Sequence, residues 1–165
     1  DQAYVEYLEA AGSSIAWLNE FDNLIITRTF SKAYGLAGLR VGYSISSPKI
    51  ADYLNRIRQP FNVNHIAQSA ATAAIADEGF LVRSVAANKN GLLQLSQGFK
   101  SLGLSYIPSH ANFIAVKVKD ASATYQKLLE KGFIVRPVEM QGYLRVSVGT
   151  RNENKAFLDT LKSAL

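Results

Sequence analysis

The chain of 165 residues contains no cysteine, so disulfides and thiolate metal sites are excluded. That absence fits a cytoplasmic protein. No apolar run approaches the roughly 20 residues needed to cross a bilayer, so no membrane partner is expected. The opening Asp1-Gln2-Ala3-Tyr4 shows neither an initiator methionine nor a secretory signal, and no strand precedes it. A fragment of a longer chain is the expectation. Runs of basic residues are missing too. The net charge is +5, but lysines and arginines are scattered singly, which argues against a nucleic-acid partner. A positive balance also suits an enzyme whose ligands are phosphates and carboxylates. Charged residues make up only 19% and hydrophobic ones 48%, a globular balance far from the disordered class.

Hydrophobic periodicity then lays out the elements. Val5–Ala10 is short and ambiguous, and Ile15–Leu18 is apolar before a polar break. Leu24–Phe30 is β-branched and apolar and predicts a buried strand. Ser31–Gly38 predicts a loop and Leu39–Ser46 a second strand. Ser47-Pro48 marks a helix start, with Ile50, Tyr53, Leu54 and Ile57 on one face and Pro60 as its end. A second helix is expected from Asn64 to Asp77, stopped at Gly79, and a long one from about Phe80 to Leu102 with weak points at Gly91 and Gly98. Beyond it, a strand at Asn112–Lys119, a helix at Ser122–Lys131 ended by Gly132, and strands at Phe133–Val138 and Tyr143–Val148 around Gly142 are expected. Thr150-Arg151-Asn152-Glu153 is a capping box for a last helix with Phe157, Leu158, Leu161 and Leu165 on one face. The order predicts a small α+β unit from about residue 103.

The chemistry gathers in Thr29-Phe30-Ser31-Lys32-Ala33-Tyr34-Gly35-Leu36-Ala37-Gly38-Leu39-Arg40-Val41-Gly42-Tyr43. Lys32 stands just after a strand, where ligands of open α/β sheets collect. Hydroxyls lie at Thr29 and Ser31, and Arg40 follows among small residues. A lysine amine forms an imine with an aldehyde, while hydroxyls and a planar guanidinium hold a phosphate. Composition alone would make Lys32 a surface lysine beside a tight turn. Arg145 lies inside an apolar strand, which is expensive unless the charge is paired. Its partner is either a substrate carboxylate or a structural acid. Arg136 occupies a similar place on the preceding strand and reaches either substrate or solvent.

The S-K-x-x-G-x-x-G-x-R-x-G-Y arrangement resembles the class I/II, fold-type I aminotransferases. The resemblance covers nearly the whole chain. It implies an α/β fold, here the C-terminal part of the pyridoxal-phosphate-dependent transferase fold. Residues 1–79 would belong to the large cofactor-binding domain, and 80–165 to a bridging helix and a small α+β C-terminal domain. It implies pyridoxal 5′-phosphate as cofactor, with Lys32 catalytic and Asp1, Tyr4, Thr29, Ser31, Lys32 and Arg40 binding it. Asp1, which judged alone is a frayed terminus, would pair with the pyridine nitrogen, and Tyr4 would meet the ring hydroxyl. Arg145 and Arg136 would bind substrate; no metal is implied.

Pro60-Phe61-Asn62-Val63-Asn64, Ala67-Gln68, Ala111-Asn112-Phe113 and Leu144–Thr150 resemble the histidinol-phosphate branch of that family. The implied partners are a small-molecule amino donor (histidinol phosphate) and a 2-oxo acid, with a homodimer for the full-length protein. Aromatic amino-acid transamination, and decarboxylation of a phosphorylated amino acid on the same fold, stay open. So do a non-catalytic binding module and a basic nucleic-acid binder. The glycine-rich helix start, the stacking aromatic and the ring asparagine of the family are absent, so this chain alone should bind the cofactor poorly and turn over slowly.

Overall fold

The computed structural model describes residues 1–8 and 14–165. Glu9 and Ala10, the end of the ambiguous first segment, lie outside the described residues. The chain divides into two compact units, Asp1–Val85 and Ala86–Leu165.

In the first unit, 3-10 turns at Val5–Tyr7 and Ser14–Asn19 precede two antiparallel strands, β1 (Ile25–Thr29) and β2 (Gly42–Ser46). The strand expected from Leu39 starts only at Gly42, because Ala37–Leu39 winds into a 3-10 turn and Arg40 takes a left-handed conformation. β1 is also less buried than its apolar composition suggests. Ile26 and the following Phe30 are buried, but Ile25 is 41% exposed. The ribbon has two strands, so alternate side chains have one sheet face on which to pack. That face carries Phe30 and Val41, which join Ala67 and Ala71 in a small core. Tyr34 and Tyr43 stack at the Phe30 ring, with centroids 5.0 and 5.7 Å away.

α1 (Pro48–Ile57) starts behind Ser47, as the Ser-Pro pair predicts. The serine hydroxyl, however, donates to Asp22 O (3.3 Å) instead of capping the helix. Of its expected apolar face, Ile50 and Leu54 are half-buried while Tyr53 and Ile57 are exposed. α2 (His65–Ala76) is capped by Asn64, whose side chain accepts from Ala67 N at 2.8 Å. Gly79 does not stop this helix. Asp77 ends it, and its Oδ1 accepts from Phe80 N at 2.8 Å, so the chain restarts at once as α3 (Glu78–Ser101) with Gly79 in the first turn.

The second unit is built on a four-stranded antiparallel sheet in the order β3-β4-β6-β5, with β3 Tyr106–Ile107, β4 Phe113–Lys117, β5 Arg136–Pro137 and β6 Tyr143–Ser147. β3 has no counterpart in the hydrophobic pattern, being only two residues long. β5 is equally short, where Phe133–Val138 promised a full strand, because Pro137 lacks a ladder donor. β4 and β6 alternate cleanly. Ile114, Val116, Leu144 and Val146 point to one face and meet Leu95 and Phe99 of α3, Leu128 of α4 (Ala121–Glu130), and Phe157 and Leu161 of α5 (Arg151–Ala164). Full burial of each such side chain is worth about 1.5–3 kcal/mol, so this cluster holds the unit together. The capping box is present in full. Thr150 Oγ1 accepts from Glu153 N (3.3 Å), and Glu153 Oε2 accepts from Thr150 N (2.7 Å). Among the described residues no helix is long and apolar enough to cross a membrane.

Candidate active site

In the first unit the motif residues collect around the exit of β1. Gln2 N donates to Thr27 O at 2.8 Å, laying the first residues along the outer edge of β1. Asp1 follows that edge: its Oδ1 accepts from Ala3 N at 3.0 Å and from Thr27 Oγ1 at 3.4 Å. The Gln2 side chain accepts from Arg28 Nε at 3.1 Å and donates to Ser14 Oγ at 2.5 Å, which pins the segment from two sides. Tyr4 is thereby carried to Lys32, whose Nζ lies 5.4 Å from the tyrosine ring centroid, within cation–π range.

The turn that displays Lys32 has its own supports. Thr29 Oγ1 accepts from Ser31 N (3.1 Å), which leaves the threonine proton free to be given elsewhere. Gly35 N donates to Lys32 O (2.9 Å) and Leu36 N to Phe30 O (2.9 Å). Gly35 sits at φ 72°, in the region where glycine alone is at ease. Arg40 occupies φ 53° with a side chain, a conformation that costs of order 1–3 kcal/mol and clusters at functional sites. Its Nη1 donates to Ala37 O at 2.9 Å, fixing the guanidinium near the turn. Ala33 is buried and Lys32 half-buried, so the turn is seated while the amine stays reachable.

Two groups outside the motif shape the electrostatics here. Glu6 is half-buried, and its Oε2 has no hydrogen-bond partner among the described residues. Burial pushes its carboxyl above the usual carboxylate range, against a backbone hydrogen bond and the charge of Arg28, which pull it down. Burial likewise raises the Tyr34 and Tyr7 hydroxyls, with the Glu6 charge adding to both. The motif pattern gave no hint of Glu6. Its position two residues after Tyr4 was the available signal, and burial was needed to interpret it.

In the second unit the structure sets Arg136 and Arg145 directly opposite each other on β5 and β6. Arg145 is not in the core. Alternation puts it on the sheet face opposite Leu144 and Val146, half-buried, with its guanidinium carbon 3.9 Å over the Phe113 ring. Arg136 is exposed. Neither arginine has an acidic partner among the described residues. Like charges placed opposite across a ladder are destabilising unless an anion joins them. Phe113, which forms the floor under Arg145, was noticed in the sequence only as a strand start.

Several known proteins are similar to this chain. A histidinol-phosphate aminotransferase of Methylobacillus flagellatus is 55% identical over 170 residues, covering 100% of this chain and 46% of the relative. Histidinol-phosphate aminotransferase 2 of Pseudomonas aeruginosa is 52% identical over 171 residues, again with 100% and 46% covered. Among solved structures, histidinol-phosphate aminotransferase from Sinorhizobium meliloti in complex with pyridoxal-5′-phosphate superposes with a TM-score of 0.90 at 34% identity, covering 99% of this chain and 47% of that one. The chain thus spans about half the length of the curated relatives it matches. The model of the aminotransferase class I and II family matches residues 1–161, and the chain belongs to that family.

Proposed function

We propose that this chain is the cofactor-anchoring and substrate-anion-binding part of a pyridoxal-phosphate-dependent aminotransferase acting on histidinol phosphate and 2-oxoglutarate. The observation that carries the reading is the gathering of Asp1, Tyr4 and Lys32 at β1, with Lys32 Nζ held over the Tyr4 ring. The residues present fit the cofactor. Ser31 Oγ and the guanidinium nitrogens of Arg40 not given to Ala37 O are open to a phosphate. Asp1 is a carboxylate able to favour a protonated ring nitrogen. Pyridoxal 5′-phosphate, when bound, supplies the electron sink for the carbanion left when the substrate loses its α-proton. Lys32 is the covalent anchor. With the cofactor bound, Lys32 Nζ would take the α-proton from the substrate carbon and return one, as base and then acid. Tyr4 would meet the ring hydroxyl, a role its ring beside Lys32 Nζ supports. The Arg136–Arg145 pair, facing each other without an acidic partner among the described residues, suits substrate anions, whether the phosphate of one substrate or the carboxylates of the other. The names of the relatives support the choice of histidinol phosphate.

The protein of full family length is expected to be a homodimer and to need the half this chain does not span for turnover. The decisive experiment is Lys32→Ala in that full-length form. Borohydride reduction should trap a cofactor adduct on the unsubstituted protein and none on the variant, and transamination should fall by several orders of magnitude. Retained transamination would end the assignment of Lys32. Comparing kcat/KM for histidinol phosphate and phenylalanine then decides the substrate, and a preference for phenylalanine would replace the histidinol-phosphate reading.

A further inference from the structure

An arginine standing in a sheet can be held in two ways. A carboxylate beside it fixes the guanidinium but occupies its donors and cancels its charge. An aromatic face fixes it by stacking and leaves the N–H groups in the guanidinium plane open. Arg145 is held in the second way. Its guanidinium carbon lies 3.9 Å over the Phe113 ring centre, the distance of stacked planes, and it has no ion pair among the described residues. The register explains the contact. Phe113 is opposite Ser147 and Arg145 opposite Ala115, so the two side chains are diagonal neighbours on one face of the β4–β6 ladder. An aromatic ring and a long side chain reach each other across that diagonal.

Phe113 is the first residue of β4, and a strand end frays unless the chain before it is tied down. Here it is tied on several sides. Ser109 Oγ accepts from Ala111 N at 3.1 Å, and Val148 N donates to Asn112 O at 2.9 Å. From α3, Asn88 Nδ2 donates to Ala111 O at 3.1 Å. Asn88 is only 8% exposed, and its Oδ1 is buried with no hydrogen-bond partner among the described residues. A buried acceptor left unpaired is unfavourable, and leucine, of similar shape, would fill the place without one. Helix packing therefore does not account for an asparagine here, whereas the bond to Ala111 O does. Gly91, one turn further along α3, lies so close to Val148 that a methyl group would meet its Cγ1. The same face of α3 thus sets the entry to β4 and the exit from β6.

We propose that Phe113 is a positioning residue for the substrate-anion site: its ring holds the Arg145 guanidinium flat and leaves the in-plane donors for a carboxylate or phosphate, while Asn88 holds Phe113 in place through Ala111 O. The inference rests on the reading of Arg145 as a substrate-binding residue. Stacking in advance reduces the rotamer freedom that a long side chain surrenders when the anion arrives. The effect falls on binding and not on the proton transfers at Lys32, so it is read in KM and not in kcat. Leucine in place of Phe113 would cover apolar area but offer no π face.

The kinetic test uses the protein of full family length with 2-oxoglutarate as the varied substrate. Phe113→Leu is expected to raise KM about tenfold with kcat within about twofold of the parent, and Asn88→Leu to raise KM about threefold with the same split. Phe113→Tyr, which keeps the ring, should restore the parent value. A spectroscopic signature accompanies this. In the 165-residue chain, the Arg145 δ-methylene proton resonances, assigned by their loss in Arg145→Gln, should lie upfield under the ring current and return to the ordinary arginine range in Phe113→Leu. If Phe113→Leu does not fold, Asn88→Leu decides by the same KM-against-kcat split. An unchanged KM, equal falls in kcat and kcat/KM, or unshifted Arg145 resonances in the parent would each overturn the proposal. Arg145→Gln separates this inference from the reading beneath it. If it raises KM while Phe113→Leu does not, only the positioning role falls; if it leaves KM unchanged, the substrate role of Arg145 falls as well.

Discussion

Gly42 is where the cofactor motif meets the backbone of β1, and Gly42→Ala tests how tightly the two are fitted. A methyl group there would lie 2.7 Å from Arg28 O and 3.5 Å from Thr29 Cα. Both are backbone atoms, so no rotamer change relieves the contact. Phe30 N donates to Val41 O, and by that ladder parity Arg28 O is also the acceptor for Tyr43 N, so widening the gap strains that bond. Overpacking of this kind costs about 1–3 kcal/mol, offset by about 0.5–1 kcal/mol from the lost freedom of glycine in the unfolded chain. The net expectation is a loss of about 1–2 kcal/mol, or a fall of roughly 5–15 °C in the melting temperature of a domain this small. Gly38→Ala is the matched control, since a methyl group there meets nothing within 4 Å and the backbone is not left-handed. It should be neutral, or stabilising by about 0.4–1 kcal/mol. Thermal melts of the two variants, with amide exchange at Phe30 as a local monitor, give the comparison. A Gly42→Ala protein as stable as the parent would refute the claim that this glycine is required by close approach.

Two other substitutions are informative. Gly91→Ala should destabilise the second unit by about 1–3 kcal/mol, because its methyl would lie 2.2 Å from Val148 Cγ1, on a stiff β-branched side chain. Gly98→Ala meets only the flexible Leu158 side chain, and about 1 kcal/mol of helix propensity opposes that contact, so urea midpoints should rank it well above Gly91→Ala. Glu6→Gln addresses pH. A carboxyl whose folded pKa is raised binds its proton more tightly when folded, so the parent loses stability as pH climbs from the ordinary carboxylate range through the raised pKa. The glutamine variant should lack that loss, and pH-resolved melts that fall equally in both proteins would remove Glu6 as its source.

The legible parts of the sequence were those whose cause is local. The Thr150–Glu153 box and the glycine at Gly132 each act within one turn, and each stands where the pattern placed it. The Lys32 segment was legible because its turn is closed by its own residues, from Thr29 Oγ1 to Gly35. Misreadings came where a distant neighbour decides. Gly91 and Gly98 were weak points of a helix in one dimension and are packing contacts in three, against Val148 and Leu158. Gly79 looked like a stop, but Asp77 turned the stop into a cap for the next helix.

The arginines show the same limit from the side of function. Arg145 was noticed because a charge within Tyr-Leu-Arg-Val-Ser interrupts an apolar run, and the expectation was a cost that a partner must offset. Alternation removes most of that cost by turning Arg145 away from the core, and the Phe113 ring takes up part of the rest. What remains unexplained by folding alone is Arg136, set opposite Arg145 in the register with no acidic partner among the described residues. Two cations in that relation weaken the β5–β6 pairing, and β5 is only two residues long. A ladder so short gains little from the arrangement. An anion bridging the two guanidinium groups would reverse the sign of the interaction, which supports the proposal that the pair is a substrate clamp.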